Sequence, residues 1–172
     1  MLNLNNLDEL IDYGGEVNCI LQLRLHPAIR AIQVKQKSVV NLIYHVKRGK
    51  WYQQSWKGDP AKSGGICTNI GIHFFDLLTH LFGKWTAMGS EVGTEQAKGY
   101  IMFGETMVNW ELRTDAEKPC RWLTIDGEEV AFTKGFEDLH TESYRRILCG
   151  VGFTLQDARP SIELVNQILC AE

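Results

Sequence analysis

The sequence feature that most constrains the fold is a succession of short amphipathic segments between residues 84 and 133, separated by tight turns. In these segments apolar side chains alternate with polar ones, which is the period of a strand with one buried face. Gly104 separates two of the segments, and Asp126-Gly127 gives the strongest hairpin signal in the chain. Strands joined by short turns pair antiparallel. The sequence therefore predicts an α+β fold with an open, mainly antiparallel sheet and helices packed on one face.

The remaining segments supply the helices and the two strands that precede this run. Apolar residues recur at helical spacing from Ile66 to Gly83, which predicts the best-defined helix. Further helices are predicted at residues 4–13, 27–35, 139–150 and 158–172. Asp157 is expected to cap the last of these. Strands are predicted at residues 17–26 and 38–47. The stretch from Arg48 to Gly65 is too polar and too rich in glycine for regular structure.

Composition and charge narrow the classes of protein to which the chain can belong. With 44% hydrophobic residues it can bury a core, which excludes a disordered chain. A formal net charge of -3 argues against a protein that grips a nucleic-acid backbone. No apolar run approaches the roughly 20 residues that span a bilayer. The chain has 5 cysteines and no C-x-x-C pair, which favours a protein of the reducing cytoplasm over a zinc site or a disulfide framework.

Asn69, His73, Asp76 and His80 fall on one face of the helix that is predicted after Gly65. A polar stripe on an apolar helix needs partners, because a buried unpaired amide or imidazole costs about 1–3 kcal/mol. In one interpretation, Asp76 orients His73 inside a packed core. In the other, the same hydrogen bond leaves the second ring nitrogen of His73 free to exchange a proton with a substrate hydroxyl. Metal binding by His73, Asp76 and His80 is disfavoured, because ligands spread over two helical turns fit a single ion poorly.

Two other groups of polar residues are candidates for binding. Gln22, Arg24 and His26 fall on one face of the strand predicted at residues 17–26, where they either meet solvent or line a cleft. His140 begins a later helix, a position at which a histidine is more often structural than functional.

A segment that mixes aromatic rings with cations follows the second predicted strand. Its members are Arg48, Lys50, Trp51, Tyr52, Trp56, Lys57 and Lys62. Such a mixture can stack on a base or a sugar and pair with phosphate. It also suits a contact between subunits, since Trp, Tyr and Arg dominate those surfaces. Single-stranded nucleic acid uses the same residue types, but the negative net charge makes it the weakest of the three interpretations.

The sequence from Arg48 to Gly83 resembles the C-terminal domain of the glucose–fructose oxidoreductase, inositol dehydrogenase and MocA (Gfo/Idh/MocA) family of nicotinamide-dependent sugar dehydrogenases. The pattern that carries the resemblance is G-G-x-x-x-[DN]-x-G-x-H-x-x-D, here Gly64, Gly65, Asn69, Gly71, His73 and Asp76. Within the family the chain is most similar to bacterial UDP-N-acetylglucosaminuronic acid 3-dehydrogenases, which serve the synthesis of lipopolysaccharide and other surface polysaccharides. The segments that support this closer similarity are LQLRLHP, RGKWY, SWKGD, TNIGIHFFD and FEDLHTESY.

The resemblance implies an NAD-dependent enzyme of two domains. Residues 1–26 would be the helix and the last strand of a dinucleotide-binding (Rossmann) domain, and residues 27–172 would bind substrate and form oligomers. The sequence has no G-x-G-x-x-G turn for the cofactor. Lys118, in an E-K-P triplet, does not replace the family's catalytic lysine, because it follows His73 and falls in a predicted surface turn. We therefore expect NAD to bind mainly outside this chain, and the chain alone to be inactive.

The same resemblance gives His73 a role in proton transfer and gives Asn69 the role of positioning the sugar. The implied substrate is a UDP-N-acetyl-aminosugar uronate, oxidised at a ring hydroxyl, with the 3-OH expected. Further contacts with the substrate are expected from Gln22, Arg24, His26, Arg48, Trp51, Tyr52, Ser55, Trp56, Lys57, Thr68 and His140. We expect no metal, nucleic-acid or membrane partner.

The alternative is a non-catalytic module for oligomerisation or ligand binding that is built on the same open sheet. In that case Trp110 and Trp122 would pair face to face with a second copy of the chain. Both interpretations predict a homo-oligomer that forms through the open face of the sheet.

Overall fold

The chain is described by a computed structural model that covers residues 4–132 and 134–170. Its α-helices are α1 (Leu4–Asp12), α2 (Pro27–Arg30), α3 (Lys50–Gln54), α4 (Pro60–Ser63), α5 (Ile72–Phe82), α6 (Leu139–Leu148) and α7 (Leu155–Cys170). Its strands are β1 (Asn18–Cys19), β2 (Val39–Lys47), β3 (Ala87–Val92), β4 (Gln96–Phe103), β5 (Thr106–Arg113), β6 (Asp115–Ile125), β7 (Glu128–Glu129) and β8 (Phe153–Thr154). The last two residues of the predicted final helix lie outside the described residues.

Six of the strands form one mixed sheet in the order β3-β4-β5-β2-β6-β7. All neighbours pair antiparallel except β2 and β5, which run parallel with Leu42 opposite Trp110. The parallel pair arises because the chain leaves β2 through α3, α4 and α5 and forms β3 and β4 before β5 returns beside it. The hairpin turn at Asp126 and Gly127 is confirmed, since both residues have the positive φ that this turn requires. The predicted fold class is also confirmed.

The helices cover one face of the sheet and bury it. Trp110 and Leu112 on β5 are almost fully buried and join one apolar cluster with Phe75 of α5. The rings of Trp110 and Phe75 meet edge to face, with 5.1 Å between their centroids. Gly71 allows this close approach, because a Cβ at that position would lie 2.6 Å from Phe75 and 2.9 Å from Leu112. The start of α5 is therefore seated at a fixed place on the sheet.

The opposite face of the sheet is open among the described residues. Tyr100 on β4 and Trp122 on β6 are 45% and 39% exposed on that side. The expectation that Trp110 pairs there with a second copy is wrong. Because side chains alternate along β5, Asn109 and Glu111 take the open face and Trp110 points into the core.

The strand predicted at residues 17–26 is wrong beyond its first residues. Only Asn18 and Cys19 pair with another strand, β8, and the backbone then tightens into a 3-10 turn over Gln22–Leu25. A strand is stable only where a neighbouring strand completes its hydrogen bonds, and after Cys19 the described residues offer none. The predicted polar face of Gln22, Arg24 and His26 therefore does not form.

The segment between β2 and α5 is more regular than predicted. It folds into α3, a 3-10 turn over Trp56–Gly58, and α4. Ser55 and Asp59 cap the second and third of these turns, because their side-chain oxygens accept hydrogen bonds from the backbone N–H groups of Lys57 and Ala61. Pro60 then takes the first position of α4, where its missing N–H has no cost. These caps are local signals that override the polar composition.

The last helix begins earlier than predicted. It starts at Leu155, and Thr154 is its capping residue. The Asp157 carboxylate accepts hydrogen bonds from the Thr154 backbone N–H at 2.7 Å and from its hydroxyl at 2.8 Å. The Thr154 hydroxyl in turn accepts from the Asp157 N–H at 3.3 Å, which makes a reciprocal capping box. Pro160 consequently lies inside the helix.

Candidate active site

His73 is the second residue of α5, directly after a π-helical turn over Cys67–Gly71. Its neighbour Phe74 is buried, whereas the His73 side chain is exposed and points away from the core. The ring lines a cavity of about 250 Å³ together with Asn69 and Arg48. It also borders a second, largely apolar cavity of about 340 Å³. The imidazole therefore reaches open space, which the functional interpretation of the sequence requires.

Asn69 is held in place by one hydrogen bond. Its side-chain amide Nδ2 donates to the Tyr52 hydroxyl at 2.7 Å. Tyr52 belongs to α3 and is nearly buried, so its hydroxyl is a fixed acceptor. The bond orients the Asn69 side chain on the cavity wall, one helical turn before His73. An amide fixed in this way can recognise a sugar hydroxyl, since it combines a donor and an acceptor.

Asp76 does not orient His73. Both interpretations of the sequence assumed a hydrogen bond between these two residues, and that assumption is wrong. Arg24 donates two hydrogen bonds to the Asp76 carboxylate, from Nε to Oδ2 at 3.0 Å and from Nη2 to Oδ1 at 2.6 Å. Nη2 also donates to the backbone carbonyl of Asp157 at 2.7 Å. The Arg24 and Asp76 side chains are only 8% and 4% exposed. This ion pair ties the N-terminal segment to α5 and α7, and it excludes Arg24 from contact with a ligand.

His26 is also structural. Its Nδ1 accepts a hydrogen bond from the Ala28 backbone N–H at 3.2 Å, which caps α2. Its Nε2 therefore carries the proton and donates to the backbone carbonyl of Lys134 at 2.6 Å. The residue is 2% exposed. The predicted cleft wall thus reduces to Gln22, which lines both of the cavities that border His73.

The surroundings of His73 favour its neutral form. Although part of the His73 side chain is exposed, the protein atoms around its ring partly desolvate it, and this desolvation is the main cause that lowers the pKa of His73 below the usual value for histidine. The Asp76 charge opposes this shift, and His140 on α6 adds to it. Among the described residues no hydrogen-bond partner holds either ring nitrogen of His73. A neutral imidazole with free nitrogens can accept a proton from a hydroxyl group.

The aromatic and basic segment contributes two residues to the site. Arg48 lines the His73 cavity, and its guanidinium lies 5.6 Å from the centre of the Tyr52 ring. Trp51 and Trp56 are more than half exposed and do not line this cavity. The lining of this cavity also lacks two partly exposed residues, namely Lys57, which lies over the Trp56 ring, and Ser55, whose hydroxyl serves as a cap. These four expected contacts are therefore not brought to the cavity.

The other predicted residues are less central. Thr68 lines the second cavity, with its hydroxyl oxygen buried and without a partner among the described residues. His140 is exposed and does not line the His73 cavity, although its charge influences His73.

Lys118 lies on the exposed part of β6 and not in a turn, because β6 begins at Asp115. In the part of the chain that the structure describes, no three His, Cys, Asp or Glu side chains are grouped to hold a metal ion.

The sequence analysis did not identify Arg121. This residue lies on β6 opposite Tyr44 of β2, and it lines the His73 cavity. The cavity wall is completed by Phe74, Phe132 and Phe136. No motif surrounds Arg121, since its place in the site depends on the pairing of β6 with β2. The alternation in β2 placed Tyr44 on a strand face but could not reveal which strand lies beside it.

Comparison with known proteins agrees with this architecture. Residues 37–121 match the model of an oxidoreductase family, C-terminal alpha/beta domain. The crystal structure of the WlbA (WbpB) dehydrogenase from Thermus thermophilus in complex with NAD and alpha-ketoglutarate is 39% identical, with a TM-score of 0.90. The match covers 98% of this chain and 61% of that chain. The same dehydrogenase in complex with NAD and UDP-GlcNAcA is 40% identical, with a TM-score of 0.85 over 98% of this chain and 59% of that chain.

A more distant structure extends the likeness of fold. The WlbA dehydrogenase from Bordetella pertussis in complex with NADH and UDP-GlcNAcA is 14% identical, with a TM-score of 0.80. The match covers 97% of this chain and 65% of that chain.

The chain thus spans about three fifths of the length of the Thermus thermophilus chains. No described helix is long and apolar enough to cross a membrane. The family match and the identity near 40% show that the chain belongs to the Gfo/Idh/MocA oxidoreductase family, whose C-terminal α/β domain it contains.

Proposed function

We propose that this chain is the substrate domain of an NAD-dependent dehydrogenase that oxidises a ring hydroxyl, the 3-OH, of a UDP-N-acetyl-aminosugar uronate. The observation that carries the proposal is the exposed His73 ring, which borders a cavity beside the fixed Asn69 amide. The similarity to a structure in complex with NAD and UDP-GlcNAcA, at 40% identity, supports the choice of substrate. Lipopolysaccharide synthesis in the cytoplasm is the proposed setting.

In this proposal His73 is the general base. The neutral ring accepts the proton of the sugar hydroxyl as that hydroxyl becomes a carbonyl, and the hydrogen on the same carbon leaves as hydride. The lowered pKa of His73 keeps the ring unprotonated at neutral pH, so that a nitrogen is available. Asn69 holds the sugar through a neighbouring hydroxyl, and Tyr52 keeps the amide in position.

In this proposal NAD would accept the hydride. The residues that the structure describes do not form a binding site for this dinucleotide. Binding of a dinucleotide needs a glycine-rich turn between a parallel strand and the N-terminus of a helix. Gly64 and Gly65 have positive φ but lie between α4 and the π turn, where no strand precedes them. We propose that NAD binds to a dinucleotide-binding domain, to which residues 1–26 contribute, and that residues 27–172 bind the sugar. The chain by itself would transfer no hydride.

The proposal is tested with a chimaera that joins this chain to the part of the Thermus thermophilus relative that it does not match. With UDP-GlcNAcA and NAD, the chimaera is expected to form NADH, and His73→Ala is expected to lower kcat/KM by about 100-fold or more. His80→Ala is the matched control, because His80 is an exposed histidine near the other end of α5. A change below about tenfold in His73→Ala would assign His73 a structural role.

The open face of the sheet supports one further element of the proposal, a homo-oligomer. Tyr100 and Trp122 are exposed there in a chain that otherwise buries most large apolar groups. Sedimentation of the chain tests this point: Trp122→Glu is expected to shift the population toward monomer. A wild-type chain that stays monomeric at high concentration would contradict it.

A further inference from the structure

Two arginines from different elements line the His73 cavity. Arg48 follows β2, and Arg121 lies on β6. The described lining of this cavity contains no aspartate or glutamate, and neither arginine has an ion-pair partner among the described residues. Four of the other arginines pair with carboxylates, namely Arg24, Arg113, Arg145 and Arg159, whereas Arg30 and Arg146, which lie outside this cavity, show no ion pair among the described residues. The cavity thus holds two positive charges that the protein leaves unneutralised.

Each of these guanidinium groups is held over a tyrosine ring. The Arg121 guanidinium carbon lies 5.3 Å from the centre of the Tyr44 ring, and the two residues are direct cross-strand neighbours. The Arg48 guanidinium carbon lies 5.6 Å from the centre of the Tyr52 ring. Both distances are within the range of cation–π attraction. Stacking steadies a guanidinium group and leaves its N–H edge free to donate hydrogen bonds.

Both tyrosines are connected to the candidate catalytic residues. The Tyr44 ring packs against the Phe74 ring with 4.8 Å between centroids, and Phe74 follows His73 in the chain. The Tyr52 hydroxyl accepts the hydrogen bond from Asn69. The Tyr52 ring thus links Arg48 to Asn69, and the Tyr44 and Phe74 rings together link Arg121 to the part of α5 that carries His73. The pairing of an arginine with a tyrosine occurs twice around one cavity, on two unrelated segments.

We propose that Arg48 and Arg121 form a two-point site for an oxyanion of the substrate and thereby select acidic nucleotide sugars. The proposal rests on the proposed function and deepens it. The oxyanion is either the sugar carboxylate or the diphosphate, and the planar guanidinium fork matches both. The cavity of about 250 Å³ is smaller than a typical site for a ligand as large as a whole nucleotide sugar, which favours the sugar carboxylate.

Calorimetric titration of this chain with UDP-GlcNAcA, the neutral UDP-N-acetylglucosamine and UDP tests the proposal. Arg121→Gln and Arg48→Gln are each expected to weaken the binding of UDP-GlcNAcA by about tenfold or more, the usual range for a charge-assisted hydrogen bond. Arg121→Lys keeps the charge and loses the planar fork, so its affinity for UDP-GlcNAcA is expected to lie between those of the two glutamine variants and that of the wild type. Arg30→Gln is the control, because it removes an equally exposed arginine outside the cavity. All three positions are exposed, so the four variants are expected to fold.

The three ligands separate the two sources of the oxyanion. If the carboxylate is bound, only UDP-GlcNAcA loses affinity in the variants; if the diphosphate is bound, all three ligands lose it equally. A loss confined to UDP-GlcNAcA supports the selection of acidic sugars, whereas an equal loss for all three ligands supports an oxyanion site for the diphosphate and overturns that selection. Wild-type affinity for every ligand in both glutamine variants would overturn the oxyanion site and leave the proposed function standing. Failure of the folded wild-type chain to bind any of the three would overturn this proposal together with the proposed binding of nucleotide sugar.

Discussion

The polar stripe of Asn69, His73 and Asp76, which runs from the π-helical turn into α5, has opposite environments at its two ends, although His73 and Asp76 lie within one helical turn of each other. Asp76 is sealed in the interior, and Arg24 satisfies both of its oxygens. Asn69 and His73 face a cavity, and His73 has no hydrogen-bond partner among the described residues. The sequence pattern is the same for all three residues, yet only Asp76 serves the stability of the fold.

This difference shows how a family motif combines two tasks. The Arg24–Asp76 pair fixes α5 against the N-terminal segment and against α7 through the Asp157 carbonyl. Because that carboxylate is fully occupied, it is not available to bond His73. The free end of the stripe can then meet a ligand in a position that the buried end determines.

The largest expected effect comes from breaking the buried end. Arg24→Gln leaves the Asp76 carboxylate in the interior without its cation, which is expected to lower the free energy of unfolding by about 3–5 kcal/mol. Urea denaturation of the chain measures this loss. Arg30→Gln, at an exposed position, is expected to stay within about 0.5 kcal/mol of the wild type. Equal stability of the two variants would remove the distinction between the two ends.

The next largest effect concerns His73, at the end of the stripe that faces the cavity, and it is seen in how the activity depends on pH. The pKa of His73 is lowered, mainly by burial, so the ring becomes protonated only below the usual value of about 6.5. A protonated ring cannot accept a proton. The kcat/KM of the chimaera is therefore expected to be constant above that lowered pKa and to fall about tenfold per pH unit below it.

Asp76→Asn sharpens this prediction. The Asp76 charge raises the pKa of His73 against the effect of burial, so its removal is expected to move the acidic limb of the profile to lower pH. His80→Ala leaves this charge in place and is expected to keep the limb where it is. An acidic limb above pH 6.5, or one that Asp76→Asn moves upward, would be incompatible with the assigned environment of His73.

The smallest effect concerns the support of Asn69. Tyr52→Phe removes the hydroxyl that accepts the Asn69 hydrogen bond and keeps the ring beneath Arg48. A hydrogen bond of this kind contributes about 0.5–1.5 kcal/mol, so KM for the nucleotide sugar is expected to rise about 2- to 10-fold while kcat changes little. Steady-state kinetics of the chimaera measures both constants. Loss of kcat at unchanged KM would indicate that Tyr52 acts in the chemical step instead.

The sequence predicted those parts of the fold that local patterns determine. The helical period before Gly83 and the turn at Asp126-Gly127 each depend on neighbours in the chain, and the structure contains both. The strand at residues 17–26 was predicted wrongly, because strand structure depends on a partner that local alternation cannot reveal. The parallel pairing of β2 with β5 was missed for the same reason.

The candidate site was predictable to a similar extent. His73 and Asn69 share a cavity, as their spacing on one helix suggests. The partner of Asp76 could not be read from the sequence, because Arg24 is 52 residues away and reaches it only after the chain folds. Arg121 enters the cavity through the register of β6 with β2, and no local feature marks it.

The most direct test is nuclear magnetic resonance of the histidine side chains of this chain during titration with UDP-GlcNAcA. The ring signals of His73 are expected to shift with ligand concentration, while those of His26, which is sealed and bonded to the backbone, stay in place. Without ligand, His73 is expected to titrate with a pKa below the usual range for histidine. A His73 signal that ignores the ligand, with a pKa at or above that range, would show that its ring is not the free proton acceptor of a binding cavity.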